Sequence, residues 1–368
     1  MCAARLTEWC RIPTSGARAV EPFDLDGNSL LAVPQLAYDV PGEPPNMNGG
    51  DSETKLLLLR RTPDGYEPFQ ELPVPGGEDA EFFRIGHRAF LATASIRTGH
   101  GPYEFATESV LFEWTGAEFV PCQRIPTFAA KQWRHFTIGD QHFLALAQGV
   151  ALPSTEGRNQ PSRIFRWDGA EFVPFQDIPS RWAYNWHAFT VDGQHFLAHA
   201  DHVDQSRLYR WNGESFTAHQ ELAPQYGRAF ATFHADADDH LLVGCIDGDS
   251  RLLRWNGAEF AEHAVLDGTG TREFAVLRTE RDLYVLRVNF IQGSPSAPTT
   301  ALSSQLYQWQ QGKLVVVEEF ATFGATDVAV TSDEQVLLVA VSNALSADVR
   351  FATETVVYRF VDQPGSAG

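Results

Sequence analysis

The stretch Ser206 to Leu222 reads SRLYRWNGESFTAHQEL, and two others repeat it. Ser250 to Ala264 reads SRLLRWNGAEFAEHA, and Ser162 to Ile178 reads SRIFRWDGAEFVPFQDI. Each copy alternates with period 2 up to a tryptophan, turns at Asn-Gly or Asp-Gly, and resumes at a phenylalanine. Alternation broken by such turns reads as antiparallel hairpins, because Asn-Gly accepts the positive φ that a two-residue hairpin requires. Self-similarity at a fixed period governs the whole fold, so the copies are traced outward from these three.

Each copy has four parts: a short segment ending in Phe or Val, an apolar segment such as HFLALA (142–147), an alternating segment such as RIFRW (163–167), and, after the turn, a segment such as EFVPFQDIP (171–179). The third-segment anchors are Arg61, Trp114, Trp167, Trp211, Trp255, Trp309 and Phe360, spaced 44 to 54 residues apart. Seven copies of four short strands predict an all-β, seven-bladed β-propeller. The chain forms one domain over 1–368, with blades at about 18–74, 78–127, 130–180, 183–223, 227–267, 271–321 and 324–362. The last copy lacks a fourth strand. WCRIPT (9–14) matches PCQRIPT (121–127), so an N-terminal strand over 5–14 is expected to complete the last blade and close the ring.

Composition agrees. The chain has 368 residues, 12% of them aromatic, with 29 Gly and 21 Pro to punctuate the strands. Its net charge of -19, with no run of Lys or Arg, argues against nucleic acid and against an anionic membrane surface. No run of 18 apolar residues occurs, so no membrane insertion is expected. Cys2, Cys10, Cys122 and Cys245 form neither a CxxC pair nor a cluster. The first residues lack the apolar core of a signal peptide, so the expected address is the cytoplasm, or secretion if the N-terminus is trimmed.

The pattern F-x-x-x-[GD]-x-x-[FL]-L…S-x-[IL]-[YF]-[RK]-W-[ND]-G-x-x-F…Q-x-[IL] resembles the epilepsy-associated repeat, also called the epitempin or EPTP repeat. It is clearest over Phe136 to Ile178, Phe189 to Leu222 and Phe233 to Leu266. The resemblance implies a seven-bladed propeller acting as a protein-interaction module. The run DAEFF (79–83) is also similar to one at the calcium-binding channel of some family members.

Propeller topology sorts the loops. Those from strand two to three share one face with the blade-to-blade links, and here they are long: 34–53, 96–108, 148–161 and 289–303. Long loops on one face of a rigid scaffold mark a binding surface. Residues just before each inner strand should line the channel mouth. One level reads Glu21, Glu81, Arg134, His187, Ala231, Phe274 and Val328, and the next reads Val20, Ala80, Trp133, Trp186, Phe230, Glu273 and Asp327. Converging carboxylates call for a cation, so Glu21, Asp79, Glu81, Glu273 and Asp327 are expected to hold calcium in the channel. Trp133, Arg134, Trp182, Tyr184, Trp186 and His187 are the expected ligand-binding set, since aromatics with polar tips suit stacking. The close spacing of His199, Asp201, His202 and Asp204 is that of metal ligands, but alternation along a strand would point them apart.

The expected function is a protein- or ligand-binding module that uses the long-loop face and the channel mouth, with a structural cation. The alternatives are hydrolase-, lyase- or cyclase-type acid–base chemistry through Arg134, His187 and Glu81, or a lectin-like carbohydrate binder. No G-x-S-x-G motif occurs to supply a covalent nucleophile.

Overall fold

The computed structural model describes residues 4–333 and 336–362. Seven four-stranded antiparallel sheets make up the ring. The inner strands are Glu21–Leu25, Gly77–Ile85, Gln132–Ile138, Ala183–Val191, Gly227–Ala235, Thr271–Arg278 and Ala325–Asp333, here numbered blades 1 to 7. Each inner strand neighbours the next, and blade 7 neighbours blade 1, so the ring is closed. No helix among the described residues is long and apolar enough to cross a membrane.

Closure uses the N-terminus. Arg5–Ser15 pairs antiparallel with Ala352–Val361, from Arg5 opposite Val361 to Ser15 opposite Ala352, with a slip at Glu8 to Cys10. Leu6 and Ile12 bury against the core, and Arg11 bridges Glu8 at 2.6 Å and Glu354 at 2.8 Å. The sequence repeat therefore starts one strand before the blade. It runs from the outer strand of one blade through the third strand of the next, and a chain built of such units closes itself.

The repeat's signature residues join blades rather than fill them. Gln70, Gln123, Gln176 and Gln220 sit on outer strands. Each donates to the carbonyl and accepts from the amide N–H of one phenylalanine on the next blade: Phe119, Phe172, Phe216 and Phe260, at 2.7–3.0 Å. The side-chain amide thus extends the β-ladder across the gap between blades. The later blades use substitutes: His263 Nε2 meets the Gly312 carbonyl at 2.8 Å, and Glu318 accepts from the Leu6 N–H at 2.6 Å.

On the strand beside those phenylalanines, three of the five third-strand tryptophans also tie one blade to another. Trp114, Trp255 and Trp309 donate Nε1–H to Asp26, Asp192 and Asp236 in the inner-hairpin turns of the preceding blades, at 2.6–2.9 Å. Those aspartates occupy the left-handed region at φ of 49–51°, which Asp tolerates better than most residues. Between blades the apolar faces interdigitate around buried Phe90, Phe143, Phe196, Phe172 and Phe119.

Two outcomes test this architecture. Gln176→Ala strands the N–H and carbonyl of Phe216, which should cost about 1–3 kcal/mol and lower the melting temperature by several degrees. The exposed Gln310→Ala serves as control and should stay within about 0.5 kcal/mol of wild type. Deleting residues 1–15 should expose the edge of Ala352–Val361 and lower the melting temperature sharply. An unchanged melt would mean that the ring does not depend on this strand.

Candidate functional site

The inner strands start at the long-loop face, and there a β-bulge recurs. The register slips between Gly77 and Asp79, Ala183 and Trp186, Gly227 and Ala229, Thr271 and Glu273, and Ala325 and Asp327. A bulge adds one residue to one strand of a pair and re-aims the side chains beside it. Three levels result. The bulge level carries Arg18, Glu78, Lys131, Tyr184, Arg228, Arg272 and Thr326. One residue deeper are Ala19, Asp79, Gln132, Asn185, Ala229, Glu273 and Asp327. Two further residues along lie Glu21, Glu81, Arg134, His187, Ala231, Ala275 and Ala329. Most of the polar members of these levels line a channel cavity of about 340 Å³.

The carboxylates do at the axis what the glutamines do at the rim. Asp79 accepts from the Trp133 N–H at 2.8 Å, Glu81 from His135 at 2.8 Å, Glu21 from Phe82 at 3.0 Å and Asp327 from Val20 at 2.8 Å, each on the following blade. Gln132 reaches the Trp186 N–H in the same way at 2.5 Å. Glu273 accepts from Asn185 Nδ2 at 2.6 Å across blade 5, where Ala229 and Ala231 leave room. Glu81 also pairs with Arg134 at 3.1 Å.

Burial and mutual repulsion set the protonation. Loss of solvent, then Glu81, holds Glu21 and Asp79 well above the usual carboxylate range. Burial, then Asp327, pushes Glu273 up to about 8. Burial raises Glu81 and Asp327 as well. His187 bonds Thr232 Oγ1 at 3.0 Å and is pushed down to about 3 by burial and by Arg134, so its imidazole is neutral.

Comparison with known proteins agrees with the repeat. The EPTP domain family matches residues 118–168, 171–212 and 215–256. Residues 118–256 match three consecutive EPTP repeats. The human thrombospondin-type laminin G domain and EAR repeat-containing protein is 36% identical over 157 residues, which is 42% of this chain and 22% of that protein. Its mouse counterpart is 41% identical over 96 residues, 26% of this chain and 14% of that protein. The chain thus spans under a quarter of the length of the curated relatives it matches. Each EPTP match begins at an outer strand or the turn before it and ends just past the third strand of the next blade, the phase already seen in the closure.

Several expected site residues lie elsewhere in the propeller. Trp133 and Trp186 are each 1% exposed, wedged between blades with Trp133 Nε1 bonded to the Thr93 carbonyl at 3.0 Å, so neither offers a face to a ligand. Phe274 and Val328 are also buried wedges, one residue off the level of Glu21. Glu273 and Asp327 belong with Asp79 instead. Among the described residues no three His, Cys, Asp or Glu side chains are placed to hold a metal ion. Glu21, Asp79, Glu81, Glu273 and Asp327 are spread around the axis, and each accepts a hydrogen bond from the protein. Glu81 and His187 make separate bonds and are not a hydrogen-bonded acid–base pair.

His199, Asp201, His202 and Asp204 likewise go to different partners. His199 meets Ser162, His202 meets Arg228, Asp204 pairs with Arg181, and Asp201 caps four backbone N–H groups. Trp182 and Tyr184 do reach the loop face, half-buried, around His202 at ring distances of 5.0 and 6.1 Å. The cationic bulge level was missed. Two residues upstream of Val20, Trp133 and Phe230 lie Arg18, Lys131 and Arg228, and one upstream of Glu273 lies Arg272.

Raised carboxylate pKa values fix a sign. The folded state keeps a proton on Glu273 that the unfolded chain releases near pH 4.5. The stability is fully present below that pH and is lost as pH rises towards about 8. Glu273→Gln mimics the protonated acid. Its melting temperature should match wild type at pH 5 and exceed it at pH 8.5. A difference independent of pH would refute the assignment.

Proposed function

We propose that this propeller is a binding module that takes a protein or small-molecule ligand at the long-loop face, with one ligand group seated in the channel mouth. The observation that carries this reading is the mouth itself: a cavity of about 340 Å³ lined by charged side chains, opening among loops that brace one another. Arg97 donates to the carbonyls of Asn48 and Gly49 and to Ser52, and stacks on Tyr103 at 3.7 Å. Arg158 pairs with Glu104 at 2.6 Å, and Arg350 reaches the Glu43 carbonyl at 2.9 Å. Beneath them lies an apolar layer that includes Leu36, Phe290, Ile291, Leu345 and Phe351. Loops fixed in this way lose little entropy on binding, which favours recognition by a preformed surface.

The experiment is a thermal-shift screen of the intact chain against peptides, sugars and small acids, followed by hydrogen exchange on any ligand that raises the melting temperature. Protection is expected in 34–53, 96–108, 148–161 and 289–303 and at the starts of the inner strands. Protection confined to the turns around Asp26, Asp192 and Asp236 would place the site on the wrong face.

A further inference from the structure

The bulge level of the channel carries Arg18, Lys131, Arg228 and Arg272 against a single carboxylate, Glu78. Glu78 is already committed, since Arg18 bonds it through Nε and Nη2, both at 3.0 Å. The other three cations gather on one ring. The centroid of Tyr184 lies 3.8 Å from the Arg228 guanidinium carbon, 5.2 Å from that of Arg272 and 5.4 Å from Lys131 Nζ. All three are at most 5% exposed. A ring face attracts each cation but does nothing to offset their mutual repulsion. This clustering occurs in a chain of net charge -19, so it is a local arrangement against the overall field.

The hydrogen-bond donors are also incompletely used. Lys131 Nζ donates to the carbonyls of Ala129 and Gly149 at 3.1 and 2.6 Å, which leaves its third N–H. Arg228 uses Nη1, on His202 Nδ1 and the Gly227 carbonyl. Arg272 donates no hydrogen bond to any described residue, though it is 95% buried and lines the cavity with Lys131. The Arg272 nitrogens are not sealed away from solvent, so on the cavity wall their N–H groups are open to a ligand oxygen.

We infer that Lys131 and Arg272 on the cavity wall, with Arg228 behind them against Tyr184, form an anion site that takes a carboxylate or phosphate group of the ligand. A planar guanidinium grips two oxygens of such a group at once. Burial pushes Lys131 down to about 7, so a bound anion also draws the proton onto its amine. The acidic level just below does not oppose this. Its carboxylates are turned onto backbone N–H groups and Asn185, and Glu273, with its pKa pushed up to about 8, holds a proton at neutral pH. The cavity suits one oxyanion group and its immediate substituents, not a polymer. The inference deepens the proposed binding role and rests on it.

The test uses the intact chain in chloride buffer at pH 7, at constant total ionic strength. Inorganic phosphate and, separately, glutarate are titrated in to 20 mM while the melting temperature is followed. Saturable stabilisation of several degrees over chloride is expected from at least one of them, and which one acts identifies the group. Arg272→Gln and Lys131→Met should each weaken the effect at least tenfold in apparent Kd. The exposed Arg124→Gln should leave it unchanged. Calorimetric titration of wild type with the same two anions gives the answer independently of whether a variant folds. No saturable binding by wild type, or equal stabilisation of wild type and Arg272→Gln, would overturn the site. A neutral ligand from the screen that still protects the loop face would then leave the binding role standing without the anion.

Discussion

Everything in this ring depends on how one blade is held to the next. Within a blade, backbone pairs with backbone. Between blades no ladder is possible, because neighbouring sheets meet face to face, and apolar packing alone would let them slide. The chain resolves this with side chains that carry backbone-like groups. A glutamine amide presents both a donor and an acceptor, so Gln176 can meet the carbonyl and N–H of Phe216 as a neighbouring strand would. Four blades use it in this way, and where it is missing, His263 and Glu318 act in its place.

The same need accounts for the channel. Inner strands converge on the axis, and their first N–H groups point across the gaps between blades. A carboxylate from the preceding blade is the shortest side chain that can reach and accept, as Asp79 and Asp327 do. The acidic ring is therefore a set of blade-to-blade staples. Its cost is charge crowded near the axis, met by Arg134 on Glu81 and by proton uptake on Glu273. One residue nearer the mouth stand Arg18, Lys131, Arg228 and Arg272, two of them, Arg228 and Arg272, at bulges. Carboxylates then serve the fold, while the cations nearer the mouth remain available to a ligand.

Much of this was legible from residues. The WNG and WDG turns, the period of 44 to 54 and the match of WCRIPT to PCQRIPT led to seven blades and to their closure, because period-2 alternation and hairpin chemistry are local properties. The level of each residue in the channel was harder to read. In Arg134 to Phe136 a polar residue beside an aromatic marks the register. In Glu273-Phe274-Ala275-Val276-Leu277 and Val328-Ala329-Val330 a run of apolar residues hides it, and the reading slipped by one. The bulge was invisible, since no residue type requires it. Trp133 and Trp186 were misread because an indole ring looks the same in a sequence whether it packs between blades or faces a ligand.

The two ends of the ring are unequal for a related reason. At the turn end, Asp26, Asp192 and Asp236 must hold left-handed turns at a fixed distance from Trp114, Trp255 and Trp309. An insertion there would break the joint between two blades, and those turns are all short. At the other end the ties lie in the backbone itself. The N–H of Tyr226 meets the His202 carbonyl, that of Ile246 meets Tyr226, that of Gly270 meets Ile246 and that of Phe290 meets Gly270, a relay running from blade to blade. These bonds involve only the residues flanking each loop, so the segment between can lengthen without loosening the ring. Gly76 shows how tight the flanks are, since a Cβ there would sit 2.2 Å from the Arg97 carbonyl oxygen. Long loops thus accumulate on the face where the channel opens, above the cations, and a change of ligand can be written there without rewriting the fold.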